Sequence, residues 1–119
     1  MTIEDAVRVF AGRNLDVEYQ TWDDETNFTI REISELSAER TIYPWECWLS
    51  NRGSECIVEP APYYANDQPL GFVVSSLAEA VSLIIYMYDH RLPKTQPRTL
   101  EESKEFTNRL FDKWRKCQR

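Results

Sequence analysis

The chain holds a single histidine, His90, and it directly follows Asp89. An imidazole within reach of a thiol can act as general base for a cysteine nucleophile, and the thiols here are Cys47, Cys56 and Cys117. No nucleophile motif accompanies them. His90 instead closes an apolar run that reads as a helix, where an imidazole meets free carbonyls. The three cysteines are irregularly spaced and lack a C-x-x-C pair, so with one histidine they offer no closely spaced zinc ligands.

Carboxylates are abundant, in the groups Asp23/Asp24/Glu25, Glu32/Glu35/Glu39 and Glu101/Glu102/Glu105. Two carboxylates can run glycoside hydrolysis, and hard cations take oxygen ligands. The calcium-loop spacing is not present, however. Glu101, Glu102 and Glu105 fall in the first turns of a helix, where acids oppose the positive end of the macrodipole. The only glycines, Gly12, Gly53 and Gly71, stand alone, so neither a P-loop nor a dinucleotide fingerprint can be written. The chain is therefore expected to be non-enzymatic, with no catalytic residue, cofactor or metal.

Aromatic residues are the least ordinary feature. Trp22, Tyr43, Trp45, Trp48, Tyr63 and Tyr64 all fall among the strands or their loops. Large aromatics at a surface act as anchors for a partner. The candidate partner-binding residues are Trp22, Asp23, Asp24 and Glu25 on one turn, with Tyr43, Trp45 and Trp48 nearby. The acids would supply electrostatic complementarity and the aromatics desolvated contacts. Trp45 and Trp48 are three residues apart, so on a strand they point to opposite faces unless a bulge resets the register.

The elements that must position these residues follow from periodicity. Thr2 and Asp5 resemble a capping box ahead of Ile3, Val7 and Phe10, which predicts a helix over 3–11. Leu15, Val17, Tyr19 and Thr21 alternate with polar neighbours up to Trp22, as in a half-exposed strand. After the turn at 23–27 a strand returns over 28–33. The segment 34–40 fits either helix or loop. Residues 41–50 are rich in β-formers, with Pro44 marking an edge or bulge. Asn51-Arg52-Gly53 signals a hairpin in which Gly53 takes a positive φ. Residues 55–59 form the partner strand, 63–71 a loop and Phe72-Val73-Val74 a last short strand. Ser76 with Glu79 caps a mostly apolar, hence central, helix from Leu77 to about His90. Thr99 with Glu102 caps a final helix with the stripe Leu100, Ser103, Phe106, Leu110, Trp114 and Cys117. This order gives an α+β fold: a short N-terminal helix, an antiparallel sheet of four to five strands joined by hairpins, and two C-terminal helices packed on one face.

The chain is 119 residues long, the size of one domain over 1–119, and 42% hydrophobic, enough for a packed core. The net charge of −6 disfavours a nucleic-acid grip. The charge is also uneven. Residues 1–62 carry 13 acids and 5 bases, a net of −8, whereas from Arg91 onward 9 bases face 4 acids, a net of +5. The longest apolar stretch, 81–88, falls well short of the ~20 residues of a membrane span. Two acids in the first five residues do not resemble a secretory signal. The chain is thus expected to be soluble and cytoplasmic, with reduced thiols, although Cys47 and Cys56 on paired strands leave a cross-strand bridge open.

The leading expectation is a small acidic protein-binding module that masks a basic surface of another protein. By analogy of size and charge this includes inhibitors of the immunity or anti-defence type. One alternative is a small-molecule-binding or enzymatic α+β domain, with a pocket between the sheet and the Leu77–His90 helix using Asp89, His90 or a cysteine. Another is a homo-oligomeric structural component, pairing through the Pro44-containing edge or the aromatic face.

Overall fold

The computed structural model describes residues 1–33, 45–53, 55–60, 71–91 and 100–118. Helix α1 spans Ile3–Gly12 and is followed by five strands: β1 Leu15–Trp22, β2 Glu25–Glu32, β3 Glu46–Asn51, β4 Cys56–Pro60 and β5 Phe72–Val74. Helices α2 (Leu77–Asp89) and α3 (Leu100–Cys117) complete the chain. The strands form one antiparallel sheet in sequential order, β1-β2-β3-β4-β5. The fold is α+β, and no helix among the described residues is long and apolar enough to cross a membrane.

Local chemistry sets the element boundaries. Thr2 Oγ1 accepts from the Asp5 amide while the Asp5 carboxylate accepts from the Thr2 amide, both at 3.1 Å. This reciprocal box satisfies two otherwise free donors at the α1 N-terminus. The Thr2 hydrogen bonds hold the Asp5 carboxyl below its ordinary range. After α1, Asn14 takes φ 63, a conformation Asn tolerates, and turns the chain into β1. A two-residue loop, Asp23-Asp24, joins Trp22 to its partner Glu25, with Asp23 at φ 46. Gly53 at φ 72 bends the β3–β4 connection, as its position in Asn51-Arg52-Gly53 predicts. Ser76 Oγ accepts from the Glu79 amide at the α2 N-terminus. The Glu79 carboxylate, however, binds Ser75 rather than closing the box on Ser76.

Period two divides the sheet into two faces. The inner face carries Leu15, Phe28, Ile30, Cys47, Leu49, Cys56, Val58, Phe72 and Val74, all buried. Helix α2 lies against it with Leu77, Ala80, Val81, Leu83, Ile84 and Met87 buried, flanked by α1 and α3, as its broad apolar surface predicts. The α3 stripe is shorter than its sequence suggests. Leu110 and Trp114 are buried, with the indole N–H donating to Ser82 Oγ at 3.0 Å, but Cys117 is exposed. Phe111 stacks on Phe72 with ring centroids 4.4 Å apart, tying α3 to β5.

Register settles the question of a Cys47–Cys56 bridge. Cys47 lies opposite Pro60, and Cys56 lies opposite Asn51. The two thiols share a face but stand four residues apart along the ladder, about 13 Å, far beyond the reach of a disulfide. Both are free, as is Cys117. Tyr43, Pro44 and the segments 34–40 and 63–70 lie outside the described residues, as does Thr99.

Candidate functional site

Strand parity builds the outer face of the sheet. Cross-strand partners place Asp16, Arg31 and Glu46 in one row, Glu18, Thr29, Trp48 and Glu59 in the next, and Gln20, Asn27, Ser50, Ile57 and Val73 in a third. Trp22 and Glu25 form the last row, beside the Asp23-Asp24 loop. Trp48 is 40% exposed, Val73 53% and Trp22 54%. Isolated apolar residues at a surface are ordinary, but two tryptophans on one sheet face are not.

Carboxylates surround these rings. Asp16, Glu18, Glu25, Glu46 and Glu59 share the face with one strand-borne base, Arg31. Arg31 is bound through Nε to the Glu46 carboxylate. That bond raises its guanidinium above the ordinary value, and attraction from Glu46, Glu18 and Asp16 adds to it. Arg52, at the end of β3, donates through Nε to Glu25 Oε1 at 2.8 Å and is likewise raised, with Glu55 and Glu59 contributing. Asp16, Glu18 and Glu59 form no ion pair among the described residues. The face is therefore a negative field studded with aromatic surface.

Searches of family models, curated proteins and solved structures found no match to the chain.

The structure separates the residues singled out in the sequence. Trp22 and Trp48 share the outer face but lie two strands and two rows apart, about 17 Å by strand geometry. Asp23 and Asp24 are exposed, whereas Glu25 is half-buried and bound to Arg52. Trp45 departs from expectation as a surface anchor. It is 6% exposed and lies on the inner face, its ring 5.1 Å from that of Tyr88. Its backbone is fixed twice to Glu32: the Glu32 amide donates to the Trp45 carbonyl, and the Trp45 amide donates to Glu32 Oε2. Arg91 completes this inner cluster by covering the Tyr88 ring at 3.9 Å and donating to Glu32 Oε1 at 3.2 Å. The opposite orientations of Trp45 and Trp48 follow from their odd spacing. Tyr43 is outside the described residues.

Residue type alone does not single out Asp16, Glu18, Glu46, Glu59 and Val73. A signal was present. Asp16 and Glu18 share the parity of Trp22 on β1, and Glu46 shares that of Trp48 on β3. The pairing of β4 with β3, which brings Glu59 beside Trp48, needed the register.

The groups proposed for a pocket are engaged elsewhere. Asp89 is bound to Arg13, joining the end of α2 to the end of α1. His90 is exposed, with Nδ1 2.8 Å from the Tyr86 carbonyl and its ring stacked on Tyr86 at 4.1 Å. Burial pushes the Cys47 thiol far up, with Glu59 and Glu46 adding to the shift, so it stays protonated and poorly nucleophilic. Cys56 is raised by burial and by Glu79. Among the described residues no group of three or more His, Cys, Asp or Glu converges as a metal site.

Proposed function

We propose that this chain is a non-enzymatic protein-binding module whose outer sheet face engages a basic surface on another protein, acting as an inhibitor that masks that surface. The observation carrying this reading is the exposure of Trp22 and Trp48 on one face that also presents Asp16, Glu18, Glu46 and Glu59. Aromatic side chains supply large contact area at small entropic cost, and an acidic field steers a basic partner into encounter. The Asp23-Asp24 loop extends the field past Trp22. The cytoplasm is the compartment that suits the free thiols of this reading.

The test is capture from host lysate with wild-type protein and the Trp22→Ala/Trp48→Ala variant in parallel, followed by association kinetics of any protein retained by the wild type alone. Replacing Asp23 and Asp24 with Ser is expected to slow association several-fold at low salt and to leave dissociation nearly unchanged. Equal retention by wild type and variant, or an on-rate indifferent to salt and to the Ser substitutions, would refute the assignment.

A further inference from the structure

The outer sheet face has a counterpart of opposite charge in the helical layer. Helix α3 turns Leu110 and Trp114 inward and stacks Phe111 on the inner-face residue Phe72. Toward its C-terminus it leaves Arg109, Lys113, Arg115 and Lys116 exposed, with Asp112 the only acid among them. Arg109, Lys113 and Lys116 recur at i, i+4 and i+7, so they line one stripe about 10 Å long, with the single acid Asp112 at i+3 on the same side. The sheet and α2 stand between this stripe and the acidic face of the same chain, because Trp114 binds Ser82 of α2 and α2 packs on the inner face. A basic stripe so placed does not reach the acidic face of its own chain, and a second copy presents that same face.

We infer that copies of this chain associate head to tail, the Arg109–Lys113–Lys116 stripe of one docking across the Glu18–Thr29–Trp48–Glu59 row of the next. The dimensions agree. That row crosses three strand spacings, about 14 Å, with an acid at each end and Trp48 between. The stripe is about 10 Å long and its side chains reach beyond both ends. The central Lys113 falls over Trp48, where an ammonium meets a ring face and its aliphatic stem covers apolar surface. Each copy carries −6, but at about 0.1 M salt the Debye length of ~10 Å screens whole-molecule repulsion. That length is short against the smallest molecular extent of 27 Å, while charges in contact remain coupled. The interface is heterologous, so it propagates rather than closing at a twofold axis.

Sedimentation of the full chain across concentration tests this without any foreign partner. At about 0.1 M salt the average mass is expected to rise above 14.1 kDa with concentration, and at about 1 M salt to return to it. Two variants sharpen the result: Lys113→Gln/Lys116→Gln removes the stripe, and Glu18→Gln/Glu59→Gln removes the face. Each alone is expected to stay at 14.1 kDa where the wild type associates. Mixed, they are expected to form a dimer and nothing larger, because one retains only its face and the other only its stripe. All four substituted residues are exposed or half-buried on the surface, and circular dichroism verifies that both variants fold. A wild type that stays at 14.1 kDa, variants that associate like the wild type, or a mixture that stays monomeric would each overturn the inference. Such a failure leaves the reading of a foreign basic partner standing, since that reading is tested on a different complex.

Discussion

Trp45 and Trp48 are three residues apart and meet opposite fates. Trp45 lies under the helices, held by Glu32 and packed on Tyr88, with 6% of its surface exposed. Trp48 stands on the other side of the same sheet, 40% exposed, beside Glu59 and two residues from Glu46. The inner face is built from apolar residues that α1, α2 and α3 cover. The outer face mixes carboxylates and uncharged polar residues with Arg31, Ile57, Val73 and two tryptophans, and the described helices all pack on the other side. The same residue type thus holds the fold on one face and is available to a partner on the other. Alternation alone makes that division.

Substitution should separate the two faces most clearly at these tryptophans. Trp45→Ala removes a buried ring, and its expected cost is about 3–5 kcal/mol of folding stability. Trp48→Ala is expected to cost under about 1 kcal/mol, as surface changes generally do. Urea denaturation of both variants measures the contrast, and equal losses would dissolve it. Thiol labelling sharpens the same comparison chemically. In the native protein Cys117 is expected to react promptly, while the inner-face Cys47 and Cys56 react only on unfolding. Rapid native labelling of Cys47 would show that the inner face opens.

The inner-face thiols also carry a pH signature. Burial raises the Cys47 and Cys56 values in the folded state, so their contribution to stability is complete below the ordinary thiol range. It is lost as pH climbs from that range toward the raised values, because the unfolded chain releases its protons first. Unfolding midpoints measured from about pH 8 to pH 10 should therefore fall, and Cys47→Ala should flatten the decline. The smallest expected effect lies at the α1 cap. Thr2→Ala is expected to cost about 1 kcal/mol. Asp5 is lowered by the Thr2 bonds, so its contribution is present above the ordinary carboxylate range and disappears as pH falls through the lowered value. Thermal melts of wild type and Asp5→Ala should accordingly converge in acid, whereas the Thr2→Ala difference, which comes from the Asp5 amide bond, persists.

Much of this arrangement is legible in the residues themselves. The α1 cap, the bounds of β1, the Gly53 turn, the central placement of α2 and the splitting of Trp45 from Trp48 all rest on local signals such as spacing, capping partners and parity. What escaped is non-local. Tyr19 and Thr21 continue the inner-face alternation of β1 but are exposed, because β1 is an edge strand and α1 covers only its start. The membership of Glu59 and Val73 in the acidic face depends on how β4 and β5 register against β3. Cys117 sits in phase with the α3 stripe yet is exposed, because the packing against α2 ends at Trp114. The type of Trp45 marks it for a binding surface, and parity alone does not distinguish which of the two tryptophans the helices cover.

The most direct test of the outer face as the binding surface is the affinity of Trp48→Ala for the partner captured by the wild type. The account predicts at least a tenfold weaker complex, about 1.4 kcal/mol, lost mainly through faster dissociation while the fold stays intact. Wild-type affinity in that variant would contradict it.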